Sequence, residues 1–120
     1  MMSDTRLAHE FVALRVRHNE TREQMATRLG IHPVRLECIE DAVYPPSEAL
    51  LFLVYKAYGL DDDTFRRLQA QLLSVRMREV LDKMGFSSPQ KNLALLLTEQ
   101  LAYLTPVDIK AITKIIMQGV

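Results

Sequence analysis

Histidine, cysteine and aspartate are the residue types here that could ligate a metal ion or take part in catalysis, and their spacing supports neither role. His9, His18 and His32 do not recur at the i, i+4 spacing with which one helix face binds zinc. Cys38 is the only thiol, and the aspartates at 61–63 lack the glycine and distal glutamate of a calcium loop. We therefore expect no enzymatic activity, no metal and no cofactor.

Arginine is the residue type that points to binding instead. A guanidinium group donates paired hydrogen bonds to phosphate, so a local cluster of arginines favours contact with nucleic acid. Five lie close together in the first third of the chain: Arg15, Arg17, Arg22, Arg28 and Arg35. The 15 basic and 15 acidic residues of the whole chain cancel, and residues 1–60 carry seven basic against eight acidic side chains. Any attraction to DNA must therefore come from this local patch.

Composition predicts one compact helical protein. The chain has 120 residues, 48% of them hydrophobic, which is enough for a core and too many for a disordered segment. It lacks a signal-like leader and any run of about 18 apolar residues, so we expect no membrane contact. A single cysteine fits a reducing compartment, and we expect a cytoplasmic protein.

Apolar spacing and capping residues predict an all-α fold. A first helix covers residues 4–18, and a capping box at Thr21 and Gln24 opens a second helix that Gly30 ends. Pro33 suits the first position of a third helix, which runs to residue 41. A strongly apolar fourth helix covers 47–59, a long fifth helix covers 64–84, and about three helical segments make up the tail.

The order of these features resembles the Cro and phage-repressor class of helix-turn-helix proteins, the XRE family. The resemblance covers about residues 7–66. It is carried by Leu14 and Arg15 ahead of Thr21, by TREQMATRLGI, by Leu36 and Ile39 followed by Glu40, and by PPSEALLFLVYKAYGL. It implies a five-helix lambda-repressor-like DNA-binding domain at residues 1–63, with 64–120 as a helical extension.

The resemblance also implies roles for individual residues. Arg15 would pair with Glu40 and fix the third helix against the first; the alternative is two unrelated solvated charges. Helix 33–41 would enter the major groove of double-stranded DNA, while the start of the second helix approaches a phosphate. The implied DNA-binding residues are Arg17, Thr21, Arg22, His32, Pro33, Val34, Arg35 and Cys38.

Departures from the family pattern keep a second function open. Only Arg35 and His32 of the groove-facing set could donate to a base, and the usual glycine and basic residues after Glu40 are replaced by Asp41, Ala42 and Val43. A protein-protein interaction module on a helix-turn-helix scaffold without DNA readout is therefore the alternative. Its docking surface would be Pro33, Val34, Cys38, Val43 and Tyr44, for a protein partner.

Apolar stripes in residues 64–120 predict a homodimer. They recur at helical spacing and exceed what covering one small domain requires. The residues concerned are Leu93, Leu97, Leu101, Ile109, Ile112 and Ile116. The alternative is that these stripes fold back onto the long fifth helix.

Overall fold

The computed structural model describes residues 4–118, and every secondary-structure element in this part of the chain is a helix, which confirms the all-α prediction. The elements in chain order are α1 (Arg6–Arg17), α2 (Arg22–Leu29), α3 (Pro33–Glu40), α4 (Glu48–Ala57), α5 (Asp62–Lys83), α6 (Ser88–Gln100), a short 3-10 turn (Leu101–Tyr103) and α7 (Pro106–Gln118). No helix among the described residues has the length and apolarity needed to cross a bilayer.

Side-chain caps explain where most of the helices begin. The Thr21 hydroxyl accepts from the Gln24 N–H at 3.1 Å while the Gln24 amide oxygen accepts from the Thr21 N–H at 2.8 Å, so the predicted capping box forms. Ser47 caps α4 with a single bond, its hydroxyl accepting from the Leu50 N–H. Asp61 accepts from the Thr64 N–H at 2.7 Å, so α5 begins at Asp62, two residues before the predicted start.

Left-handed residues end the helices of the first half. Gly30, after α2, has φ +70°, which costs glycine nothing. Asn19 after α1 and Ala42 after α3 adopt φ 54° and 58°, although side chains disfavour this region. After α3 the Val43 N–H reaches the Cys38 carbonyl at 2.9 Å and the Ala42 N–H reaches that of Ile39 at 3.1 Å. These two bonds form a Schellman motif with alanine at the position that glycine usually takes.

One apolar cluster unites α1 to α4 with the first half of α5. Its most deeply buried members include Phe11 of α1, Met25 of α2, Leu36 of α3 and Leu50 of α4. Leu68 and Leu72 of α5 belong to the same cluster, so the predicted boundary at 63/64 falls inside the first turn of a helix that completes the N-terminal core.

The C-terminal part buries fewer of its described side chains. α6 packs against α5, and the residues buried outside the main cluster on these two helices are Ser74, Leu81, Leu95 and Thr98. The contact is reinforced by an ion pair of 3.0 Å between Lys91 and Asp82. Beyond the 3-10 turn, α7 buries none of its described side chains.

Candidate nucleic-acid interface

Helix α3 divides its side chains between the core and solvent. Leu36 and Ile39 are buried, whereas Val34 is 57% exposed and Arg35 is also exposed. The His32 ring nitrogen Nδ1 accepts from the Val34 N–H at 3.1 Å and caps the helix. The first turn of α3 therefore stands at the surface on a backbone that its own cap and the core fix in place.

A two-hydrogen-bond ion pair attaches the other end of α3 to α1. Arg15 Nε donates to Glu40 Oε2 at 2.9 Å and its Nη2 donates to Oε1 at 3.0 Å. The Glu40 side chain is fully buried, and the Arg15 side chain is 19% exposed. Arg15 also donates to the Glu20 backbone carbonyl at 3.2 Å, which ties the loop before α2 to the same guanidinium. This geometry sets the direction of α3 relative to α1.

Arg22, the expected phosphate contact at the start of α2, is held by carboxylates. Its Nε donates to Glu40 at 3.1 Å and its Nη2 to Asp41 at 3.4 Å, with Glu37 at 3.9 Å from Nη1. The hydrogen bond to Glu40 is the main reason that the pKa of Arg22 is raised. These partners were not predicted from the sequence, although Glu37 lies one helical turn before Glu40 on α3 and Asp41 directly follows that helix. A phosphate at this point has to compete with them.

Other arginines of the cluster also have partners within the protein. Arg28 donates to Glu20 at 3.0 Å and lies over the Tyr58 ring, 4.7 Å from its centre. Arg35 is 3.3 Å from the Ser47 hydroxyl, a weaker contact that leaves most of its donors available. Arg17 is exposed on the last turn of α1. The cationic patch is thus smaller than the number of arginines in the sequence suggests.

Glu20 takes a structural role that the sequence did not reveal. The Tyr58 hydroxyl donates to it at 2.8 Å, in addition to the bond from Arg28. Desolvation opposes the charged form of Glu20, but the hydrogen bonds from Tyr58 and Arg28 outweigh it and lower the pKa of the carboxyl. The Glu20 carboxylate therefore links Arg28 of α2 to Tyr58 at the end of α4.

The remaining residues of the predicted site differ in how accessible they are. Thr21 is exposed, but its hydroxyl is already used in the capping box. His32 is exposed, while Pro33 and Cys38 are half-buried. Val43 and Tyr44, in the loop after α3, are 68% and 43% exposed.

The described residues offer no metal site, and the chain has no match among known proteins that would indicate a function. Among residues 4–118, no group of three His, Cys, Asp or Glu side chains is placed to hold a metal ion. Comparison of the chain with protein-family models, curated proteins and solved structures finds no match. Its function therefore has to be argued from the geometry of its own residues.

Proposed function

We propose that this protein is a DNA-binding transcriptional regulator of the XRE type that acts as a homodimer in the cytoplasm. Its N-terminal helices would form a lambda-repressor-like domain in which α2 and α3 are the helix-turn-helix. The observation that carries the proposal is the placement of α3. Leu36 and Ile39 anchor it in the core and the Arg15–Glu40 pair fixes its angle, while Val34 and Arg35 stay outside.

The exposed turn of α3 would enter the major groove. Arg35 can donate two hydrogen bonds to guanine, and Val34 can contact a thymine methyl group. His32 supplies one further donor, while Pro33 and Cys38 can only pack against the bases or sugars. Base readout in this proposal therefore rests mainly on Arg35.

Backbone contacts would come from Arg17, Thr21 and Arg22. Arg22 has to exchange the carboxylates of Glu40 and Asp41 for a phosphate, so part of its binding energy is lost in breaking those bonds. Weak, strongly salt-dependent binding of single domains is the consequence, and a dimer that places two α3 helices about 34 Å apart would compensate.

The dimer would form through α6 and α7. Leu93, Leu101, Ile109 and Ile116 are between 48% and 60% exposed, and Leu97 and Ile112 are half-buried. So much exposed aliphatic surface on two consecutive helices is more typical of a protein-protein interface than of the surface of a monomer. The proposed dimer buries both stripes against a second copy.

The test measures affinity for random and selected duplex DNA over a range of salt concentrations, with Arg22→Gln, Arg35→Gln and the control Arg66→Gln. Arg66 is exposed on α5 and pairs only loosely with Asp63, at 3.7 Å. We expect Arg22→Gln to weaken binding to all sequences and to reduce the salt slope by about 1. Arg35→Gln should relax preference at particular bases by about 1–3 kcal/mol.

A double substitution tests whether the carboxylates around Arg22 weaken DNA binding. Glu37→Gln with Asp41→Asn removes two exposed negative charges near Arg22, so we expect tighter non-specific DNA binding at low salt. The DNA proposal fails if wild type and this variant both show no salt-dependent binding, or if Arg66→Gln weakens binding as much as Arg22→Gln.

A specific observation favours a second candidate, a protein-docking module. Arg22 is paired with carboxylates, and three apolar side chains on α3 and the loop after it, Val34, Val43 and Tyr44, are exposed and would form the docking patch. A partner protein would bury this patch and leave the Arg22 ion pairs intact. Absence of DNA binding in every variant above, including the gain-of-binding one, would favour this candidate.

A further inference from the structure

A cleft on the side of α3 that faces α5 is separate from the proposed DNA surface. It has a volume of about 250 Å³ and lies between α1, the loop after α3 and the C-terminal half of α5. Its lining is mostly apolar and includes Leu7, Ile39, Val43, Pro46 and Val75. Apolar clefts with a few polar groups are the usual form of small-molecule sites, and this volume lies just below the roughly 300 Å³ at which drug-sized sites begin.

The charged groups at the cleft are not equivalent. Asp4 is paired with Arg6 at 2.7 Å, and Asp82 is paired with Lys91 at 3.0 Å. Arg78 also lines the cleft, and its Nε is buried without a hydrogen-bond partner among residues 4–118. Glu79 lies at the exposed rim. Arg78 is therefore the group whose hydrogen bonding an occupant would complete.

A buried donor without an acceptor is costly, and more so when it belongs to a charged group. Buried polar atoms in proteins are nearly always hydrogen-bonded, so the Arg78 Nε is an exception that calls for an explanation. A carboxylate satisfies a guanidinium best because it accepts two parallel hydrogen bonds. The apolar lining, in turn, excludes a fully polar anion such as inorganic phosphate as the best-fitting occupant.

We propose that this cleft binds a small aliphatic or aromatic carboxylic acid. The carboxylate accepts hydrogen bonds from Arg78, and the hydrocarbon part packs on Leu7, Ile39 and Val75. The proposal goes beyond the DNA-binding function and does not depend on it, because no residue of the proposed DNA contacts lines the cleft.

The test uses octanoate, 1-octanol and octylamine as probes, which share a chain and differ in the head group. Binding to the full chain is followed by calorimetry and by backbone and methyl chemical shifts. We expect saturable binding of octanoate at millimolar or lower concentration, with shifts at Ile39, Val43 and Val75. Octanol and octylamine should bind at least about tenfold more weakly, because octanol offers Arg78 a single neutral acceptor and the octylammonium group offers none.

Two substitutions separate the role of Arg78 from general charge effects. Arg78→Met keeps an unbranched side chain but removes the donor, and we expect octanoate affinity to fall about tenfold. Arg66→Met, on the same helix and outside the cleft, should leave it unchanged. Stronger binding of octylamine than of octanoate would show that the acidic groups dominate and would overturn the proposal. If octanoate changes no chemical shifts in the wild-type protein, or changes only those of residues outside the cleft, the proposal is also overturned. This outcome does not depend on whether Arg78→Met folds.

Discussion

Helices α1 to α4 and helices α6 and α7 are both rich in leucine and isoleucine, but they differ in how far these side chains are buried. In α1 to α4 the large apolar residues converge on one cluster, and Phe11, Leu36 and Leu50 are at most 1% exposed. In α6 and α7 most of them face outward, and Leu95 is the only apolar side chain described there that is buried. The first half is thus stabilised by its own core, whereas the described residues of the second leave much of their apolar surface exposed. We therefore expect substitutions in the first half to change the unfolding equilibrium, and substitutions in α6 and α7 to change the proposed dimerisation equilibrium.

The largest effect is expected for Phe11→Ala in the core. Loss of a fully buried aromatic ring leaves a cavity and should lower the free energy of unfolding by about 3–5 kcal/mol. Chemical denaturation at several protein concentrations measures it, and the loss should not depend on concentration. A loss below about 1 kcal/mol would mean that α1 is not part of a tightly packed core.

The second prediction concerns the exposed face of the C-terminal half. Replacing Ile109 and Ile116 together by serine should weaken the dimer by about 2–4 kcal/mol, since each side chain loses part of its burial at the interface. Sedimentation equilibrium measures this, with Lys110→Ser and Lys114→Ser as the control pair on the same helix. Dimer formation by the isoleucine variant equal to that of the control, or a monomeric wild type at tens of micromolar, would contradict the assignment.

The third prediction tests the backbone after α3. Ala42→Gly relieves a left-handed alanine that costs about 1–2 kcal/mol, although the added freedom of the unfolded chain offsets about 0.4–1 kcal/mol of it. The protein should gain up to about 1 kcal/mol in stability. Ala13→Gly, inside α1, should instead lose about 1 kcal/mol, because there glycine replaces a residue in a helical conformation. Destabilisation by both changes would refute the strain at Ala42.

The smallest effect is expected from the link between the two halves. Arg6 hydrogen-bonds with Asp4 and with Glu99 of α6, and these bonds lower the pKa of both carboxyls. Such groups stabilise the folded state above their ordinary pKa values, and this contribution disappears as pH falls through the lowered ones. Arg6 is partly exposed, so the contribution should be below about 1 kcal/mol. Denaturation between about pH 6 and pH 2 should show a shallower pH dependence for Arg6→Gln than for wild type or Arg66→Gln.

Residue types and their spacing along the chain are enough to predict the helical class and most helix limits. Local chemistry fixes these features: a capping box at Thr21, a proline at the start of α3 and a glycine after α2 act within a few residues of themselves. Asn19 likewise takes the left-handed turn that its residue type permits. The Arg15–Glu40 ion pair, in contrast, was predicted from the family resemblance, because spacing alone does not identify it.

The neighbours of the charged and apolar side chains, in contrast, depend on how the helices pack. The sequence shows five arginines near α3, but only the packing of α1, α2 and α3 brings Glu37, Glu40 and Asp41 within reach of Arg22. Likewise, periodicity marks apolar stripes on α5, α6 and α7 without saying which of them meet. The unpaired Nε of Arg78 and the cleft around it follow from the same cause. Pairing and burial depend on distances between segments far apart in the chain, and no local propensity encodes those distances.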